Sequence, residues 1–86
     1  MVTLFTLKID NIDTFNNHSL YQIASDAGYY GSVVVEDFTK AYIDLGIKDL
    51  EREIDTLIDE RVLMMMIGQL VMAGMSVILT SVEVKL

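Results

Sequence analysis

The feature that most constrains this sequence is a run of eighteen residues without a charged side chain, Val62 to Leu79, in a chain of net charge −7. This length meets the lower limit for a membrane-spanning helix, which is about 18 residues. Only eight of the eighteen residues are Leu, Ile or Val, and Gln69 and two glycines interrupt them. No tryptophan or tyrosine flanks the run to lie at a membrane interface. We therefore expect the run to belong to a globular domain, without membrane contact.

The run divides near Gly74 into a helix and the start of a strand. From Val62 to Met72 the helix is apolar nearly all round, because three consecutive methionines alone cover about 200° of its circumference. A helix that is apolar on every side must be buried on every side, and one sheet covers only part of it. Methionine is flexible and polarizable, which suits adaptable binding surfaces. We therefore predict a homodimer interface, and its residues are Met64, Met65, Met66, Val71, Met72, Tyr29 and Tyr30.

Length and composition indicate one domain, residues 1–86, with a large apolar content. Hydrophobic residues make up 52% of the chain, and its mean hydropathy is +0.43. A small monomer rarely needs to bury so much apolar material, so the excess favours self-association. There is no cysteine, which excludes disulfides and cysteine-based zinc sites. The lack of disulfides and of a signal-peptide pattern predicts a cytoplasmic protein.

Acidic residues outnumber basic ones by thirteen to six. This balance argues against direct nucleic-acid binding, because neutralising phosphates supplies most of that affinity. The acidity is open to two interpretations. It either keeps an apolar domain dispersed in water, or it imitates nucleic acid and binds the basic surface of another protein. The candidate acidic face consists of Asp49, Glu53, Asp55, Asp59 and Glu60.

The two ends of the chain have strand patterns. Residues 2–9 are rich in β-branched and aromatic side chains, with Phe5, Leu7 and Ile9 on one face and Leu4 on the other. Residues 76–86 close the chain with alternating apolar and charged positions. We predict a strand at each end.

The middle of the chain is less uniform. Spacings of three and four predict a helix over residues 20–27, with Ser19 as its N-cap and Gly28 as its stop. Residues 32–46 fit a hairpin with a turn at 37–39, and they also carry a helical stripe; the hairpin is favoured. From Ile47 onward, apolar residues again recur at helical spacing, which predicts one long helix ending at Gly74.

The predicted order is strand, helix, strand, strand, helix, strand. This is the ferredoxin-like βαββαβ order, an α+β two-layer sandwich with helices on one side of an antiparallel sheet. If residues 32–46 were helical instead, the order would be β-α-α-α-β with the terminal strands paired.

No motif in the sequence predicts an active site, a metal or a cofactor. His18 is the only histidine and has no nucleophile signature near it. The segment DNIDTFNN lacks the ligand register and the glycine of an EF-hand loop. The segment GYYG matches a GXXG nucleic-acid loop, but no Lys or Arg lies between Lys8 and Lys40.

These observations predict a small interaction or regulatory protein that binds proteins, self-associates and is not an enzyme. Two alternatives remain open. One is an inhibitor of the kind that phages encode, which occupies a basic groove in a host nucleic-acid-binding protein. The other is an ACT-like module, in which paired ferredoxin-like domains hold a small metabolite at their interface.

Overall fold

A computed structural model describes residues 1–12, 17–37 and 39–85. For Asn17 and His18 it describes the backbone only. Residues 13–16 of the predicted DNIDTFNN loop, the side chain of His18 and Phe38 of the predicted turn lie outside the described residues. Within that part of the chain the elements are β1 (Val2–Asp10), α1 (Asn17–Asp26), β2 (Val34–Asp37), β3 (Lys40–Asp49), β4 (Ile54–Asp55), α2 (Glu60–Met72) and β5 (Ser76–Val84).

The strands form one antiparallel sheet with the order β2-β3-β1-β5, and β4 pairs with the end of β3. Apart from the two-residue β4, the element order is the predicted βαββαβ. Strand β3 lies between β1 and β2, so α1 connects two strands that are not neighbours. The chain is therefore an α+β fold of the predicted class, and the pairing of β2 with β3 confirms the hairpin and excludes the β-α-α-α-β alternative.

The core lies between the sheet and the two helices. Leu7 and Ile9 of β1 are buried, as the alternation of the first strand predicted, while Leu4 on the other face is 40% exposed. Ile43 and Leu45 contribute the same face of β3. The remaining core residues come mainly from the helices and their ends: Leu20, Ala24, Ala27, Met66, Leu70 and Met75.

Both helices end at a glycine in the same hydrogen-bonded arrangement. After α1, the amide of Gly28 donates to Ser25 and that of Tyr29 donates to Ala24. After α2, the amides of Gly74 and Met75 donate to Val71 and Leu70 in the same way. This is the Schellman motif, which needs a left-handed residue. Gly28 and Gly74 have φ values of +98° and +90°, so both predicted helix stops are confirmed.

The prediction of a helix from Ile47 is wrong for its first part. Strand β3 continues to Asp49, where Leu4 pairs with Ile47 and Thr3 with Lys48. The chain then turns and forms β4, and α2 begins only at Glu60. The apolar residues at helical spacing do not form a buried face here, since Leu50 is 80% exposed. Backbone pairing with β1 determines the conformation of this segment instead. The predicted N-cap, Ser19, lies inside α1, which begins two residues earlier at Asn17.

Gly46 is the last residue of the predicted hairpin, but it lies within β3, which continues to Asp49. Its φ is +121°, and the strand register shifts by one residue between Phe5 and Thr6 opposite it. A β-carbon at Gly46 would lie 2.4 Å from the carbonyl oxygen of Thr56. This position therefore requires glycine both for its backbone conformation and for the close approach of the segment after β4.

We expect Gly46→Ala to lower the free energy of unfolding by about 3 kcal/mol, because alanine meets both a strained conformation and a backbone clash. Gly68→Ala is the matched control. A β-carbon there would have no neighbour within 4 Å, and alanine favours the helix by about 1 kcal/mol. Urea unfolding followed by circular dichroism measures both changes. Equal stability of the two variants would contradict the described path of residues 46–56.

Candidate protein-interaction surface

Helix α2 is positioned by a cap at its start and by packing on one side. The carboxylate of Asp59 accepts a hydrogen bond of 2.8 Å from the amide of Arg61, which satisfies one of the free N–H groups of the first turn. The negative charge of Glu60 in that turn also interacts favourably with the positive end of the helix dipole. Met66 and Leu70 are fully buried, and Leu63 and Ile67 pack partly against the same core.

The opposite side of α2 has no cover within the described chain. Met64 is 62% exposed, Met65 56%, Val71 55% and Met72 84%. The structure thus leaves four of the five predicted interface residues of this helix in solvent. Met66 is different: it is fully buried in the core and is not available to a partner. Sequence alone does not separate three consecutive methionines, because all have the same size and polarity.

Strand β5 adds apolar residues that the predicted interface did not include. Ile78 is 60% exposed, Leu79 53% and Val82 58%. Ile78 and Val82 are exposed because they lie on the sheet face away from the helices, beside Lys8 and Leu4 of β1. Leu79 lies on the helix face of the last strand, where no other strand of the described chain pairs with the outer edge of β5. The sequence carried a signal for this, since the run from Val77 to Leu79 is apolar on both faces. We call the exposed residues of both elements the α2–β5 surface: Met64, Met65, Val71, Met72, Ile78, Leu79 and Val82.

The geometry of α2 directs part of this surface toward the free edge of β5. Val62 faces the end of α1, since its Cγ2 lies 3.5 Å from the position of a β-carbon at Gly28. At 100° per residue, Val71 lies about 180° from Val62 around the helix. Helix α2 packs against α1 on one side and against β5 below. The side that carries Val71 is therefore turned away from α1, toward the open edge of the sheet.

An apolar cavity of about 310 Å³ continues this surface into the molecule. Leu63 of α2 and Leu79 of β5 contribute to its wall, and Glu60 is its one charged residue. The remaining lining residues are Phe5, Leu45, Leu57 and Ile58. This volume is at the lower end of the range of small-molecule sites, and its lining is suited to an apolar ligand.

The two tyrosines of the predicted interface have different environments. Tyr30 is 83% exposed. Tyr29 packs against the core, and its hydroxyl donates a hydrogen bond of 2.7 Å to the carbonyl oxygen of Ser32. Burial, and secondarily the negative charge of Asp44, raises the pKa of the Tyr29 hydroxyl above its ordinary value. Tyr29 is therefore part of the structure of its own loop, and only Tyr30 projects freely into solvent.

The predicted acidic residues do not form one face of a helix. Asp49 ends β3, Glu53 lies in the following turn with φ +54°, Asp55 is in β4, and Asp59 and Glu60 begin α2. Three of the carboxylates accept hydrogen bonds from nearby backbone amides: Asp49 from Glu51 and Arg52, Asp55 from Leu57, and Asp59 from Arg61. These groups stabilise the turns that replace the predicted helix.

Asp49 is the most deeply buried of these carboxylates, with 3% of the residue exposed. Its Oδ1 accepts from the amides of Glu51 and Arg52 at 3.1 and 3.3 Å, and its Oδ2 lies 3.7 Å from Nε of Arg52. Burying a carboxylate is unfavourable unless hydrogen bonds compensate it, and here the turn supplies them. Asp49 is therefore a structural residue of the β3–β4 turn.

The described residues contain neither a metal-binding cluster nor a membrane-spanning helix. No group of three or more His, Asp or Glu side chains comes together among them as a metal site. Neither helix in the described part of the chain has the length and hydropathy to cross a bilayer. Comparisons of the chain with protein-family models, with curated proteins and with solved structures found no match. Function must therefore be inferred from this chain's own surface.

We expect Asp49→Ala to lower the free energy of unfolding by about 1–3 kcal/mol, because two backbone amides lose their acceptor. Glu36→Ala is the control: it removes the same charge from an exposed position in β2 and should change stability by less than about 0.5 kcal/mol. Chemical denaturation measures both. If the two variants were equally stable, the buried carboxylate would have no role in the turn.

Proposed function

We propose that the protein acts by binding protein chains, and first of all a second copy of itself, and that it is not an enzyme. The observation that carries this proposal is the uncharged α2–β5 surface, in which seven large apolar residues are each more than half exposed. Large exposed apolar side chains concentrated on one helix and one strand favour an interaction site, because monomeric proteins seldom expose large apolar patches. The absence of cysteine and of disulfides supports a cytoplasmic location.

The total surface of the chain supports self-association. Its accessible area is 6001 Å², whereas a monomer of 9.7 kDa is expected to expose only about 5,100 Å². The radius of gyration of 13.4 Å likewise exceeds the roughly 12 Å of a compact domain of 86 residues.

The charges of the chain limit association to contacts through the uncharged surface. A net charge of −7 keeps separate copies apart at long range, while no charged residue lies between Val62 and Val82. Apolar contact then drives association against a general repulsion. Added salt screens the repulsion and leaves the apolar contact intact. Association should therefore strengthen with salt, whereas capture of a basic partner by an acidic mimic should weaken.

The cavity beside Leu79 supports a second candidate function, the sensing of a small apolar metabolite. It lies against the α2–β5 surface, so a ligand there would be adjacent to the second copy in a dimer. A thermal-shift screen of aliphatic and aromatic metabolites tests this, with Leu63→Trp as the variant that fills the cavity. A flat screen for the unaltered protein would count against it. The arrangement of carboxylates gives no comparable support to the nucleic-acid mimic.

We expect the protein to be a dimer at micromolar concentration in size-exclusion chromatography with light scattering. Val71→Glu should shift it toward monomer, weakening association at least about tenfold, since a charge then has to be desolvated at the contact. Gln69→Glu is the matched control on an exposed polar position of the same helix and should leave the mass unchanged. A monomeric unaltered protein would overturn the proposal.

A further inference from the structure

Strand β5 presents a long, regular edge with which no other strand of the described residues pairs. It pairs with β1 over all nine residues, from Val84 opposite Val2 to Ser76 opposite Asp10, without a register shift. At about 3.3 Å per residue its other side exposes roughly 30 Å of backbone edge. From Ser76 to Val82 it carries no charge and no proline. An edge of this kind is a template for pairing with another strand.

The opposite edge of the sheet is protected in the ways that natural sheets use. It is formed by β2, which has four residues, and by β4, which has two. The register of β2 with β3 is interrupted between Val35 and Asp37, and Glu36, Asp37 and Asp55 make this edge acidic. The two edges therefore differ: one is short, irregular and acidic, whereas β5 is long and regular and has one charged residue, Glu83, near its end.

We propose that two copies of the chain pair β5 with β5, so that one antiparallel sheet continues across the dimer. This inference rests on the proposed self-association and specifies its geometry. A closed two-fold dimer that joins the same edge of two identical sheets runs the paired strands antiparallel. The register that pairs all nine residues places Thr80 opposite Thr80 of the second copy.

This register pairs uncharged side chains on both faces of the sheet from Ile78 to Val82. On the face away from the helices, Ile78 lies opposite Val82 of the second copy on each side of the central threonines, and β-branched cross-strand pairs stabilise a sheet. On the helix face, Leu79 lies opposite Ser81, and the Val71 side of α2 is turned toward its counterpart. Glu83 lies opposite Val77, so no like charges oppose each other.

A second copy is the occupant that the charges favour. A basic partner would have no carboxylate to contact between Val62 and Val82, whereas another copy has an edge of the same length that is also uncharged from Ser76 to Val82. Pairing through β5 also places the acidic β2 and β4 edges at the two far ends of the joined sheet. The repulsion between two chains of charge −7 is then smaller than in any arrangement that brings those edges together.

Single cysteines test the register directly, because the chain has none of its own. Opposed β-carbons in an antiparallel pair lie about 4.5–5.5 Å apart, close to the spacing of a disulfide. Under the mild oxidant diamide, Thr80→Cys should give mostly covalent dimer on a non-reducing gel. Ser76→Cys should remain monomeric on the gel, since eight residues, roughly 26 Å, separate the two copies of that position.

Met65→Cys distinguishes this dimer from one that packs through the solvent face of α2. Met65 is 56% exposed. At 100° per residue it lies about 60° from Val62 and about 120° from Val71 around the helix, and therefore away from the β5 edge. Cross-linking of Met65→Cys without that of Thr80→Cys would overturn the β5 pairing and leave self-association standing. A monomer in light scattering would instead overturn both.

A charge exchange provides a second, independent test of the register. Ile78→Lys alone and Val82→Glu alone should each weaken the dimer at least about tenfold, because a charge then faces an apolar side chain. The double variant brings the two new opposite charges together twice across the axis and should recover most of the lost affinity. Sedimentation equilibrium measures the three constants. No recovery in the double variant would contradict the proposed register.

Discussion

The fold depends on the pairing of β1 with a strand on each side. Strand β1 is the first element of the chain, yet its partners β3 and β5 are distant in sequence, and the register continues along nearly its whole length on both sides. Because β1 holds both neighbours, Leu7 and Ile9 lie at the centre of the face that the helices cover. The positions of α1 and α2, and therefore of the α2–β5 surface, follow from this central strand.

The pairing also explains why the acidic segment is structural. Strand β3 follows β1 to Asp49, beyond the point where the apolar spacing favoured a helix. The chain must then reverse and return to the start of α2, and it has no proline and few glycines to do so. The carboxylates of Asp49, Asp55 and Asp59 supply acceptors for the amides that the turns leave unpaired. Part of the chain's acidity thus stabilises its connections.

The same architecture leaves one side of the molecule without cover. Two helices of ten and thirteen residues lie over a sheet whose central strands have nine and ten residues. Helix α1 covers one side of α2, and nothing in the described chain covers the other side or the outer edge of β5. Both uncovered features meet at the same border of the fold. Seven of the fifteen exposed large apolar residues among those described belong to α2 and β5, while the short strands β2 and β4 occupy the opposite border.

The sequence by itself determined the local features of this protein. Alternation in the first and last strands, the helix ends at Gly28 and Gly74, and the excess of apolar surface on α2 all follow from the properties of adjacent residues. Tertiary structure decided what depends on distant partners. It made Ile47 part of a strand, buried Met66 while leaving Met64 and Met65 exposed, and placed β5 at an edge. The physical reason is that a backbone pair or a buried face forms only when residues far apart in the chain meet, and spacing along the chain does not specify those meetings.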